Sequence, residues 1–170
     1  MLQAENTLFT ITVAGYFALT VLNFAFVIGK KDMLARLAFW LQTGVFALHT
    51  AALVLRGIGA GHWPMTNQYE FATSFAWALC LVSLIFIRKY RFPVLGTFSS
   101  PLILLMIGYA ALQSREVREL MPSLRSSWLA FHVSTAIIGY GAVGVYFVLS
   151  LIFPRNRKIN EITKATPKAP

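Results

Sequence analysis

At 170 residues the chain has room for one compact unit and not for a second domain. With 57% of its residues hydrophobic, 12% charged and a mean hydropathy of +0.64, it carries more apolar surface than a water-soluble fold of this size can hide, so a bilayer serves as its solvent. The formal charge of +9 lies in short clusters between apolar runs, which reads as membrane-topology information and argues against a nucleic-acid partner.

Five apolar stretches follow one another: Leu8–Ile28, Leu34–Leu55, Phe71–Ile87, Phe92–Leu112 and Trp128–Phe153. Each is 17 to 26 residues long, against the ~20 needed to cross a hydrocarbon core at 1.5 Å per residue. No Lys or Arg precedes the first stretch, and Lys30 and Lys31 follow it, so it reads as a span and not as a cleaved signal peptide. The third is the shortest and admits extension back through Tyr69 and Glu70. The sole cysteine, Cys80, lies inside it, so neither a disulfide nor a Cys-based metal site is expected.

Segments 29–36, 88–91 and 154–170 hold 11 Lys and Arg residues, and the opposite side holds four: Arg56, Arg115, Arg118 and Arg125. The positive-inside rule then places the amino terminus outside and the basic carboxyl tail in the cytoplasm. The tail 154–170 is polar and flanked by prolines, and is expected to be unstructured. Glu116, Val117, Leu120 and Leu124 in the 113–127 connection are spaced for a short amphipathic helix on the membrane surface. The fold class is therefore all-α: a polytopic membrane helix bundle of about five spans, N-out and C-in.

Nearly every residue able to do chemistry gathers at the expected outer end. The 57–70 stretch reads GIGAGHWPMTNQYE, with glycines that loosen the backbone and Pro64 to break a helix. Asn67 or Thr66 can cap the third helix, with Glu70 in its favourable first turn, and this needs no function. His49 lies within the second span, His62 in the first outer loop, and His132 four residues inside the fifth span, one turn below Trp128. An intramembrane histidine is costly and suggests function, and neutral imidazole ligates haem iron well. The bland alternative is a polar residue bonding a neighbouring helix for His49, or a solvated loop residue for His62.

Trp63 and Trp128 suit either an aromatic belt at the headgroups or a flat platform for a porphyrin; Trp40 and Trp77 read as belt or packing residues. Arg56 is placed to snorkel outward or to pair with a haem propionate. Gly139, Gly141 and Gly144 allow another helix close to the fifth span. No nucleophile–base pair, carboxylate dyad, phosphate loop or metal motif is visible, so no catalytic residue is assigned.

Two segments resemble the cytochrome c assembly family of system II, the CcsA/ResC type. His49-Thr50 through Arg56, continuing into Gly61-His62-Trp63-Pro64-Met65-Thr66-Asn67-Gln68-Tyr69-Glu70, is similar to a G-H-x-P-x-[ST]-N-x-x-E stretch followed by a span with A-W, here Ala76-Trp77. Ser126-Ser127-Trp128-Leu129-Ala130-Phe131-His132-Val133-Ser134, running on to Gly139-Tyr140, is similar to a W-x-x-x-H-V-S…GY run. The resemblance covers most of residues 34–153. It implies haem, b-type and transiently bound, delivered to apocytochrome c outside the membrane as part of a haem lyase or synthetase complex.

By the same resemblance His132 would be an axial ligand to the haem iron, His49 and His62 weaker haem candidates, and Trp63, Trp128 and Arg56 contacts. Pro64, Asn67 and Glu70 are motif positions. A ResB-type biogenesis protein would be the partner, in the bacterial cytoplasmic membrane or its thylakoid equivalent. The family's W-G-x-x-W-x-W-D segment, second outer histidine and last spans have no counterpart, so the chain looks like the amino-terminal part: a fragment, a truncated copy, or one half of a split protein. The competing reading is a non-haem membrane scaffold or assembly subunit. A transporter-like carrier is disfavoured because no inverted repeat or pair of broken helices is visible.

Overall fold

The computed structural model describes residues 2–117 and 126–165. Among them the structure is helical, in the order α1 (Leu2–Gly29), α2 (Asp32–Ala60), α3 (Gln68–Tyr90), α4 (Val94–Ala111) and α5 (Ser127–Ala165). All five contain a segment long and apolar enough to cross a membrane. The chain is an all-α membrane helix bundle.

Four of the five helices outrun their apolar stretches because backbone hydrogen bonding continues into polar residues, whereas α4 falls just inside its stretch. α2 passes through Gly57 and Gly59 and stops only at Gly61, whose φ of 71° opens the left-handed region and whose N–H donates to the Gly57 carbonyl at 3.0 Å. α3 begins at Gln68, so Tyr69 and Glu70 belong to its first turn. α4 begins at Val94, just after Pro93, and carries Pro101 in its interior. α5 continues to Ala165, so 154–165 of the tail expected to be unstructured is helical and 166–170 fall outside the described residues; four Lys and Arg residues and Glu161 in 155–165 favour helix. The amphipathic helix expected at 113–127 is not seen at 114–117, and the remainder of that expectation falls on 118–125, outside the described residues.

The helices pack in neighbouring pairs. α1 lies against α2 and α4, while α3 is wedged among α2, α4 and α5 and contributes the longest run of buried positions. Without a hydrophobic force between helices in lipid, close approach and interhelical hydrogen bonds hold them together. Gly141 supplies the first: a Cβ there would sit 2.9 Å from the Ala78 carbonyl carbon of α3. Gly144 meets the Leu79 side chain, but Gly139 has open space around it, so only two of the three glycines expected at a helix contact make one. Gln42 Nε2 donates to Ser83 Oγ at 2.7 Å between α2 and α3, and Thr97 Oγ1 donates to the Asn23 carbonyl between α4 and α1.

Candidate functional site

The end of the bundle where α2 passes into α3 holds two distinct assemblies, one polar and one an apolar cleft. In the first, Arg56 near the end of α2 is 2% exposed, and its Nε donates to Glu70 Oε1 at 2.9 Å. Its Nη1 donates to the Arg115 carbonyl at 2.8 Å, and Nη2 reaches the Glu116 carbonyl at 3.4 Å. The snorkelling expected for Arg56 is therefore replaced by a buried ion pair that also ties the segment after α4. Asn67 caps α3 by accepting from the Glu70 N–H at 2.8 Å. The Glu70 carboxylate reaches back and accepts both the N–H and the hydroxyl of Thr66, a variant of the capping box shifted by one residue.

The same assembly extends to α1. Tyr69 donates its hydroxyl to Glu5, and the Arg115 guanidinium lies over the Phe9 ring at 4.4 Å while donating to Asn6 Oδ1. Arg56, Asn67 and Glu70 are thus consumed by an internal tie between the loop, α1, α2 and α3. That tie leaves no free guanidinium edge facing the neighbouring cleft, which Arg56 does not line.

That cleft is the second assembly. It has a volume of about 690 Å³, within the range typical of small-molecule and cofactor sites. Leu53, Val54 and Ile58 of α2, Ile137 and Ile138 of α5 and Trp77 of α3 make it apolar. The loop from Gly61 to Met65 closes one side, bringing His62, Trp63 and Pro64 to its rim. Trp77 donates its indole N–H to Thr50 Oγ1 at 2.8 Å and stacks on Phe46. It is thereby fixed as a wall, a role beyond the packing expected for it. Ser74 donates to the Pro64 carbonyl at 3.0 Å and pins the loop to α3. Ser134 of α5 approaches Met65 Sδ at 3.6 Å and donates to its own helix at Ala130.

The three histidines are not brought together. His62 reaches the cleft; its Nδ1 donates to the Trp63 carbonyl at 2.9 Å, and its Nε2 is buried with no partner. His49 is wholly buried between α2 and α1, with Nδ1 3.0 Å from the Tyr16 hydroxyl and Nε2 unpartnered. Because α2 runs on to Ala60, His49 lies about 17 Å from that helix end. His132 is exposed on α5, about 200° around the helix from Ser134, so it faces away from the cleft. Trp128 and Phe131 stand beside it, exposed and packed edge to face. Trp63 is exposed at the rim and Trp40 is exposed on α2.

Sequence reasoning missed Thr50, Ser74, Met65 and Ser134 as cleft residues and Tyr16 as the partner of His49. Thr50, Ser74 and Ser134 are small polar side chains in apolar runs, Met65 lies in the loop and Tyr16 in the first apolar run, and only the helix pairing reveals which way they point.

Residues 65–169 match the family described as cytochrome C assembly protein, well over half of the chain. The chain belongs to that family. Among curated relatives, it is 33% identical over 123 residues to the cytochrome c biogenesis protein CcsA of Prochlorococcus marinus (strain MIT 9303), a stretch covering 69% of this chain and 39% of the relative. It is 39% identical over 106 residues to the protein of that name from Synechococcus sp. (strain CC9311), covering 60% and 35%. With the one from Parasynechococcus marenigrum (strain WH8102) the figures are 36% over 132 residues, covering 68% and 43%. The chain therefore spans about two fifths of the length of these cytochrome c assembly relatives. The family match takes in Met65, Asn67, Glu70, Ser134 and His132, whereas His49, Arg56, His62 and Trp63 precede it.

Proposed function

We propose that this chain is a haem-handling component of c-type cytochrome biogenesis, with haem held in the cleft between α2, α3 and α5. The observation that carries the reading is that cleft, apolar on three helices and rimmed by the His62–Met65 loop, in a member of the cytochrome c assembly family. The residues fit the group on two counts. The wall residues suit a porphyrin's apolar faces, and the imidazole-bearing residue His62 stands at the rim.

When bound, haem would supply the vinyl groups and the iron that cytochrome attachment needs, while the thiols belong to the apocytochrome. The chain's own residues bind and orient. Trp77, locked by Thr50, and Ile137 and Ile138 give flat apolar contact, and the pinned loop keeps water from the inner wall. The Arg56–Glu70 tie fixes that loop against α1 and α3 without entering the cleft. In this reading the bundle sits with its amino terminus outside, so that the cleft opens at the outer membrane face and presents haem there to apocytochrome c. His132 offers its imidazole on the open face of α5, where a ResB-type partner or a separate carboxyl-terminal half would complete a second contact. The membrane is the bacterial cytoplasmic membrane or the thylakoid.

A specific observation favours the scaffold alternative: Arg56, Asn67 and Glu70 are all accounted for by internal bonding. The two readings part on purified protein. Chain isolated in detergent from haem-replete cells should yield a pyridine haemochrome, and deletion of its gene should lower c-type cytochromes. Colourless protein, with c-type cytochromes unchanged on deletion, would establish the scaffold instead.

A further inference from the structure

The opposite end of the bundle, where α3 passes into α4, carries a second recess. Phe86 and Tyr90 of α3, Phe92 in the turn, Leu95 of α4 and Leu149 of α5 line a pocket of about 370 Å³, within the range of small-molecule sites. Phe86, Phe92 and Leu149 pack against the buried cluster of Val82, Ile87, Val145 and Val148, so its walls are apolar. α4 and α5 share only a slight contact of their own, and an apolar chain lying between Leu95 and Leu149 would join them.

The turn beside this pocket is basic. Arg88, Lys89 and Arg91 are exposed and interleave with the lining residues Phe86, Tyr90 and Phe92. The Lys89 ammonium lies 5.4 Å from the centre of the Tyr90 ring, which packs 5.3 Å from the Phe86 ring, so a cation stands at the pocket's rim. Lys30, Lys31 and Arg36 come to the same end from the α1–α2 turn, where Asp32 is the acidic residue. Arg88 and Lys89 suit the negative end of α3, yet Arg91 lies past that helix, next to the positive end of α4, whose first turn holds no acidic residue. Like charges gathered in this way repel one another, and an anion among them would relieve the repulsion.

A ligand that answers both features has an anionic head and an apolar tail. The bilayer itself supplies such molecules, and basic pockets between transmembrane helices take their head groups. We propose that this end of the bundle binds one anionic phospholipid, its phosphate among Arg88, Lys89 and Arg91 and an acyl chain in the pocket between α3, α4 and α5. The site lies at the other end of α3 from the cleft and does not depend on the haem-handling reading.

The test offers the full chain in detergent equal amounts of phosphatidylglycerol and phosphatidylcholine with the same acyl chains, and counts retained lipid by native mass spectrometry. The wild type should retain phosphatidylglycerol at least about 10-fold over phosphatidylcholine, since each basic residue near an anionic surface is worth roughly 5-fold. Arg88→Gln, Lys89→Gln and Arg91→Gln together, all at exposed positions, should bring that ratio below about 2-fold. Equal retention of the two lipids by the wild type, or an undiminished ratio in the triple variant, would overturn the proposal. Inorganic phosphate and glycerol phosphate in large excess, which carry the charge without the chain, should leave the lipid in place on the wild type. Displacement by either would make this a site for a free anion and overturn the lipid assignment. Leu149→Trp should lower retention of both lipids; unchanged retention with wild-type helical content would overturn the pocket as the seat of the chain.

Discussion

Removing the Glu70 carboxylate tests whether the loop end is held by a buried ion pair or merely by apolar packing. In Glu70→Leu the Arg56 guanidinium, 2% exposed, keeps its contacts with the Arg115 and Glu116 carbonyls but loses its only carboxylate among the described residues. The Thr66 N–H and hydroxyl lose their acceptor in the same step. Breaking a buried pair from one side costs about 3–5 kcal/mol, because the remaining charge stays out of water. For a chain of this length that corresponds to a fall in melting temperature of about 6–20 °C. Arg56→Leu should cost a similar amount by leaving the carboxylate uncompensated.

The double variant removes both charges and leaves only carbonyl and Thr66 groups without partners, at about 1 kcal/mol each. It should therefore be at least 2 kcal/mol less destabilised than the two single variants added together. Thermal unfolding of the four proteins in one detergent, followed by circular dichroism, measures this. Single variants each costing under about 1 kcal/mol, or a strictly additive double variant, would refute the reasoning.

Other expectations concern packing and caps. Gly141→Ala drives a methyl to 2.9 Å from the Ala78 backbone and should cost about 1–3 kcal/mol, whereas Gly144→Ala meets only the end of the Leu79 side chain and should cost less; melting temperatures of the pair give the order. Tyr16→Phe removes the one partner of His49 Nδ1 and leaves a wholly buried ring unsatisfied, for about 1–3 kcal/mol in the same assay. Arg91 caps α3 with a positive φ of 51°, so Arg91→Gly should stabilise by about 1 kcal/mol, read as a rise in melting temperature.

Much of the fold was legible because hydrophobic runs of bilayer length leave little choice of structure. Five such runs gave five helices, yet hydropathy fades before hydrogen bonding does. Capping by Asn67 and the left-handed Gly61 set the limits of α3 and α2, and no apolar count registers them. The site was legible as a neighbourhood: the 57–70 stretch and the start of α5 do lie at one end of the bundle. Its internal partition was not. Arg56 and Glu70 are separated by 14 residues and were each explained alone, although a buried arginine and a first-turn glutamate facing each other needed one explanation. His132 drew attention through its motif, but helix rotation turns it away from the cleft. His62 looked like an ordinary loop residue because sequence does not show the path of the loop that brings it to the cleft.

The claim that haem sits in the α2–α3–α5 cleft is tested most directly by filling it. Ile138 lines the cleft on a half-exposed stretch of α5, so Ile138→Trp adds bulk there with little disturbance of the core. The account predicts a variant with wild-type helical content whose pyridine-haemochrome yield falls at least about 10-fold. A filled cleft with an undiminished haem content would contradict it.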